Sequence, residues 1–323
     1  MHARIGTSVP ALIAALVTVV LWASAFVGIR AVAGDFGPGA LALGRQAVGT
    51  LGLGAMVAVR GWVRPSARDL ALMAAAGLLW FALYNVALNA AERNLDAGTA
   101  AMIVGLGPIF IAVLAGVFLH EGLPRRVVAG CLVAFAGTAV IGLATSAAPA
   151  PGANPALGVG LCVACAVAFA SGVTLQKPVV TRIPALQVTF IGCLVGALVC
   201  LPFAPELVGE IAAAAPERSA WIVYLGLFPT AIGFTTWAFA LRHTTAGRMG
   251  STTYLVPPVV IAMAWLLLGE VPPPTVFGGG ALCIAGVIVA RSRWSAPGRR
   301  AALPGVSGPR TGWTPPLPDP ADR

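Results

Sequence analysis

The sequence predicts an all-α membrane protein, with ten transmembrane helices arranged as two inverted five-helix repeats. Three observations carry that prediction. The 323 residues are 58% hydrophobic and 10% charged, with a mean hydropathy of +0.90, whereas soluble domains carry about 25% charged residues. The apolar residues fall into ten runs of about 20, the length a helix needs to cross a bilayer, without the strict alternation of a membrane barrel strand. Finally, the stretch 91–143 slides onto 240–292 without a gap, at a spacing of 149. Arg93 then meets Arg242, Ala97-Gly98 meets Ala246-Gly247, Pro108 meets Pro257, Glu121 meets Glu270, Gly130 meets Gly279 and Gly137 meets Gly286.

Span one, roughly 9–29, follows Arg4 and contains Ala23-Ser24-Ala25, which imitates a signal peptide, but its apolar run is too long for one. Its segment from Trp22 to Arg30 also has a partner, spaced by 147, in the segment from Phe169 to Lys177. It therefore heads the first repeat. Span two (38–59) carries Arg45, the only basic side chain well inside a span. Span three (70–91) carries Trp80, Tyr84, Asn85 and Asn89. Span four (97–119) is interrupted by Pro108 and closes on Leu119-His120-Glu121, and span five (126–144) holds Gly130 and Gly137. An uncharged link rich in Ala and Pro, 146–155, joins the halves. Spans six to ten follow at 156–175, 185–204, 221–241, 246–268 and 274–290. The expected division is a first repeat at 1–145, the link at 146–155, a second repeat at 156–291 and a basic, Pro-rich tail at 292–323. The tail is expected to be disordered, its arginines either touching anionic lipid or serving only as a topology anchor. Five spans per half is an odd number, so two homologous halves joined in sequence must lie in opposite orientations, as in many secondary transporters.

Charge sets the expected topology. With the N-terminus in the cytoplasm and ten alternating spans, sixteen of the 20 basic residues fall on the cytoplasmic side and only Arg30, Arg93 and Arg218 on the other. That bias puts both termini in the cytoplasm of a multi-pass inner-membrane protein. The net charge of +9 then reports topology rather than a nucleic-acid partner. The expected partners are the lipid bilayer and a small-molecule substrate.

The chain offers little for catalysis. Its six cysteines all lie in apolar spans, and Cys162-Val-Ala-Cys165 lacks the polar flanks or nearby histidine of a redox or zinc pair. His2, His120 and His243 are scattered, and no acid pair falls within a span. Neither an enzyme nor a cofactor nor a metal is expected. A channel would need a charged ring or a carbonyl filter, and no pattern for either is visible.

Ten spans, two five-helix halves, and a mid-span proline followed by an apolar run ending in Glu together resemble the drug/metabolite transporter superfamily, within it the EamA-type transporters. The motifs are Trp22-Ala-Ser-Ala-Phe26, Gly44-Arg45-Gln46, Leu119-His-Glu121, Ala240-Leu-Arg-His-Thr-Thr-Ala-Gly247, Leu255-Val-Pro-Pro258 and Leu268-Gly-Glu270. The resemblance covers about residues 9–291. It implies a secondary transporter of small metabolites, amino-acid-like or related, acting most often as an exporter and as a monomer or homodimer. A multidrug exporter of the same fold is the alternative, and a membrane scaffold or channel a further one. The copies depart from each other at His120 against Gly269, so a symmetric site is not assumed.

Arg45 either faces a central cavity and attracts a carboxylate or phosphate, or it snorkels outward or pairs with an acid such as Asp35 or Asp96, because a charge at that depth is otherwise costly. Tyr84, Asn85, Asn89 and Tyr254, with Trp22 and Trp237, complete the candidate substrate-binding residues. The asparagines could equally bind helix to helix. Pro108 and Pro257 remove backbone donors mid-span, freeing carbonyls near Val104 and Thr253. With Gly107 they are candidate gating positions. Glu121 and Glu270 lie at helix ends, where capping a neighbouring helix or pairing with arginine is the expected role.

Overall fold

The computed structural model describes residues 9–292 apart from 33, 96–99, 101–102, 146–152 and 269–272. Among these the regular structure is helical, with no strand. In chain order the helices are α1 (Val9–Val32), α2 (Pro38–Arg60), α3 (Ala67–Ala91), α4 (Gly107–Phe118), α5 (Arg125–Thr145), α6 (Pro155–Val180), α7 (Ala185–Ala213) and α8 (Pro216–Arg242). The segments Ala246–Thr252, Thr253–Leu255 and Val256–Leu268 together make α9, and Pro274–Arg291 is α10. All but α4 and α9 are long and apolar enough to cross a membrane. The outer surface is apolar as well: Leu51, Val59, Leu143 and Leu266 are between 70% and 88% exposed. Such a surface suits lipid rather than water. Glu270, Asp96 and the tail beyond Ser292 lie outside the described residues.

Several helices start earlier than the apolar runs suggest, for capping reasons. The Ser66 hydroxyl accepts from the Asp69 amide at 3.1 Å and thereby begins α3 at Ala67. Pro216 stands in the first turn of α8, where its missing N–H has no partner to lose.

Each of the two prolines lies just after an irregular stretch of its helix. Residues 105–106 form a turn and α4 restarts at Gly107, with Pro108 in its first turn. In α9 the 3₁₀ turn Thr253–Leu255 precedes the segment containing Pro257. The carbonyl taken up is that of Gly105, which accepts from the Tyr254 hydroxyl at 2.8 Å. Those two residues are themselves 149 apart, so the breaks in the two copies are tied to each other.

A feature without any residue signature is a π-helical segment in each half, Gly77–Leu83 in α3 and Gly226–Ile232 in α8, again 149 apart. Both press against a helix of the other half. A Cβ placed on Gly77 would lie 3.1 Å from the Gly192 carbonyl oxygen of α7, and one on Gly226 would lie 2.9 Å from the Arg45 carbonyl oxygen of α2. Gly192 is the residue 147 after Arg45.

The tightest packing joins α5 to α10. A Cβ on Gly130 would lie 2.5 Å from the Gly286 oxygen, and one on Gly137 would lie 2.5 Å from the Gly279 oxygen. As α5 ascends from 130 to 137 its partner descends from 286 to 279, so the two helices run antiparallel. The copies are also bound by two ion pairs, Arg182 with Asp69 and Arg218 with Asp35, the latter at 3.6 Å. The main core contains Trp80, Phe81, Phe169, Val173, Phe234, Trp237, Leu241 and Met249.

Candidate functional site

A cavity of about 130 Å³ lies where α1, α2, α3, α5, α6, α8 and the breaks of α4 and α9 meet. Its walls are mostly apolar and aromatic: Trp22, Phe26, Trp80, Phe169 and Phe234 line it, with Tyr84 and Tyr254. Glycines in the neighbouring helices seat these rings. A Cβ on Gly107 would come within 2.6 Å of the Phe169 ring, one on Gly172 within 2.6 Å of Trp80, and one on Gly233 within 3.1 Å of the Trp22 indole nitrogen.

The charged groups on the cavity wall are Arg45 and Glu92. Arg45 is buried, and its Nε donates to the Thr230 hydroxyl at 3.2 Å. Among the described residues it forms no ion pair. Asp35, its proposed alternative partner, is occupied by Arg218. One hydrogen bond from Nε leaves the two terminal amino groups of the guanidinium for a carboxylate, which they can grip in a fork. Thr230 sits in the π segment of α8, so that irregular turn supplies the hydroxyl that orients the guanidinium.

Asn85 borders the cavity, and its amide nitrogen donates to the Trp80 and Phe81 carbonyls at 3.2 and 3.0 Å, inside the π segment of α3. Asn89, one turn on, lies away from the cavity, with its amide donating to the Pro38 carbonyl at 2.9 Å. Trp237 is likewise not on the cavity wall. It is fully buried behind it, its ring stacked 5.0 Å from Trp22 at an interplanar angle of 25°. Tyr254 lines the cavity with its hydroxyl engaged on Gly105. Pro108 and Pro257 both border the cavity, while Gly107 stands behind Phe169. Glu121 lies elsewhere: its carboxylate accepts from the Ala246 N–H at 2.8 and 3.0 Å, at the start of α9.

Sequence reasoning missed Phe26, Glu92, Thr138, Phe169 and Phe234 on the wall. Glu92 carried a signal. It lies seven residues past Asn85, two turns up the same helix, and so continues the stripe that begins at Asn85 and passes through Leu88.

The EamA-like transporter family matches this chain twice, at residues 9–143 and 156–292. The chain belongs to that family. A probable terminal-alkyne amino-acid exporter of Streptantibioticus cattleyicolor is 37% identical over 90% of this chain and 97% of its own length. The uncharacterized transporter YdfC of Bacillus subtilis is 29% identical over 83% and 86% of the two chains. An uncharacterized transporter of Archaeoglobus fulgidus is 28% identical over 85% and 97%. One protein crystal structure superimposes with a TM-score of 0.71 over 87% of this chain and 96% of its own, at 21% identity; that likeness speaks for the fold. This EamA-like protein is therefore a multi-pass membrane protein of a transporter family.

Proposed function

We propose that this EamA-like protein is a secondary transporter that exports a small amino-acid-like solute across the cytoplasmic membrane, by alternating access between two inverted five-helix repeats. The observation that carries the reading is Arg45: a buried guanidinium with one hydrogen bond among the described residues, facing a cavity whose walls are mostly apolar and aromatic. A carboxylate on the solute satisfies the guanidinium, and the rings accept a short hydrocarbon side chain. Glu92 adds a negative charge to the same cavity wall. The description of the 37% identical relative as an amino-acid exporter agrees with that chemistry.

The inverted arrangement rests on reciprocal contacts. Gly130 against Gly286 and Gly137 against Gly279 exchange into one another when each residue is replaced by its counterpart 149 away. A two-fold axis in the membrane plane produces that pattern. The full count of ten spans takes α4 and α9 as crossing helices interrupted at the cavity, where irregular backbone is tolerated because it is surrounded by protein rather than lipid. Both termini are assigned to the cytoplasm on the bias of basic residues. The aromatic lining also suits a multidrug exporter, and Arg45 is what favours an anionic solute over a cationic drug.

Counterflow of labelled neutral amino acids in proteoliposomes tests the reading. Amino acids with unsaturated or aliphatic side chains are expected to exchange, and their methyl esters are not. Equal exchange of acids and esters removes the carboxylate from recognition, and transport of cationic drugs alone supports the other exporter.

A further inference from the structure

The cavity has a closed counterpart. Ile29, Leu88, Glu92 and Ala100 border it at one end. At the repeat spacings their counterparts are Gln176, Trp237, Leu241 and Met249. Those four are at most 1% exposed, and Trp237, Leu241 and Met249 belong to the main core. The ring centroids of Phe169 and Trp237 lie 6.0 Å apart, and further along the same pair of helices Lys177 meets Leu241. Gln176 lies at that further end.

This closed end carries polar atoms that an apolar seal has no use for. Gln176 Oε1 and Trp237 Nε1 are buried without a hydrogen-bond partner, and so is Trp22 Nε1, whose ring stacks on Trp237. Buried polar groups are nearly always satisfied, and each exception calls for a reason. Solvent or solute reaching the same atoms in another conformation supplies one.

Two charged side chains bind backbone groups at this end. Lys177 Nζ donates to the Leu241 carbonyl at 2.6 Å and to the Thr244 carbonyl, at the C-terminal end of α8. Glu121 accepts from the first amide of α9 at Ala246. A cation on the carbonyl end of one helix and an anion on the amide end of the next both agree with the helix dipoles. The turn 243–245 is thereby gripped from both sides.

We infer that Gln176 and Trp237 form a latent polar vestibule at the end opposite the cavity, with Trp22 standing between the two, and that Lys177 and Glu121 are the latch whose release exposes it. The inference rests on the alternating-access reading and deepens it. When the latch parts, Gln176 Oε1 accepts from an ammonium or a water, and the two indole N–H groups donate to a carboxylate or a water. An amino-acid-like zwitterion carries both kinds of group, so the vestibule takes the same chemical class as the cavity and receives it from the other face.

The test reads conformation rather than transport, so it stands whether or not the substrate class is right. Single cysteines replace Gln176 (Q176C) or Leu88 (L88C) in the full chain in membrane vesicles, and an impermeant maleimide is applied from either face. The six native cysteines are buried, and the parent chain sets the baseline. Lys177→Met and Glu121→Ala are then added separately, so that the other carries the test if one fails to fold. Loss of a charge-assisted hydrogen bond is expected to speed labelling at 176 by about tenfold or more, from the face carrying the 243–245 turn. Labelling at 88 from the opposite face slows in parallel. A rise at both positions means the latch only holds the fold together, and no change at either means the latch does not govern access; both results overturn the inference.

Discussion

The α5–α10 crossing allows a stability measurement with its own internal control. In Gly137→Ala the new Cβ would stand 2.5 Å from the Gly279 oxygen and 2.6 Å from the Cys283 nitrogen. Both are backbone atoms of α10, so no side chain can swing away. Ordinary contact begins at about 3.4 Å, so the helices must part by about 0.9 Å, and a gap of that size forfeits a quarter to a half of each dispersion contact it opens. With on the order of 30 atom pairs across such a crossing, at about 0.15 kcal/mol each, the loss is about 1–2 kcal/mol. Gly286→Ala and Gly130→Ala meet backbone equally closely and are expected to cost about the same. Gly279→Ala meets its nearest backbone atom at 2.8 Å, and is expected to cost nearer 1 kcal/mol. The control is Gly278→Ala: nothing lies within 4 Å of its Cβ position, so improved helix propensity is expected to raise stability by up to about 1 kcal/mol. Thermal unfolding in one detergent, followed by tryptophan fluorescence, measures the series. Equal melting temperatures for Gly137→Ala and Gly278→Ala would refute the claim that these helices meet backbone to backbone.

Three other outcomes are expected. Arg45→Ala abolishes exchange of carboxylate solutes in proteoliposomes while leaving the melting temperature unchanged or higher, because a buried charge with one hydrogen bond adds little to folding; Arg45→Lys does not restore exchange, since an ammonium lacks the planar fork. Tyr254→Phe removes the only hydrogen bond seen on the Gly105 carbonyl among the described residues and costs about 1–2 kcal/mol in thermal unfolding. His120 holds a left-handed backbone at φ 54°, so a β-branched His120→Val is expected to destabilise by about 1–2 kcal/mol, while His120→Gly, the residue the second copy carries at 269, is tolerated in the same assay.

Much of this architecture was legible because its signals are local. Runs of apolar residues mark the helices, and Gly130, Gly137, Pro108 and Arg45 stand out against an apolar background. The cavity wall was less so. Phe169 and Phe234 look like core residues in any one helix and become wall residues only when several helices are brought together around Arg45. Asn85 and Asn89 share a face at a spacing of four, yet the stripe on the cavity runs through Asn85, Leu88 and Glu92, and Asn89 turns aside to Pro38. The π segments could not be read at all. Widening a helix by one residue depends on what packs against it, here α7 against Gly77 and α2 against Gly226, and no residue type encodes that choice.

The two inter-half ion pairs bear on how this chain could have arisen and how it could be taken apart. Asp35 and Asp69 both belong to the first half, and Arg182 and Arg218 both belong to the second. At the repeat spacings Asp35 corresponds to Arg182, and Asp69 to Arg218. Two copies of the first half, assembled as these halves are, would bring aspartate against aspartate at both places; two copies of the second would bring arginine against arginine. An ancestor built from one self-pairing half would have set like charges together at both places, a modest cost at half-exposed positions. Expressed as separate polypeptides, the halves are expected to prefer each other over their own kind, by the modest margin that half-exposed charges supply.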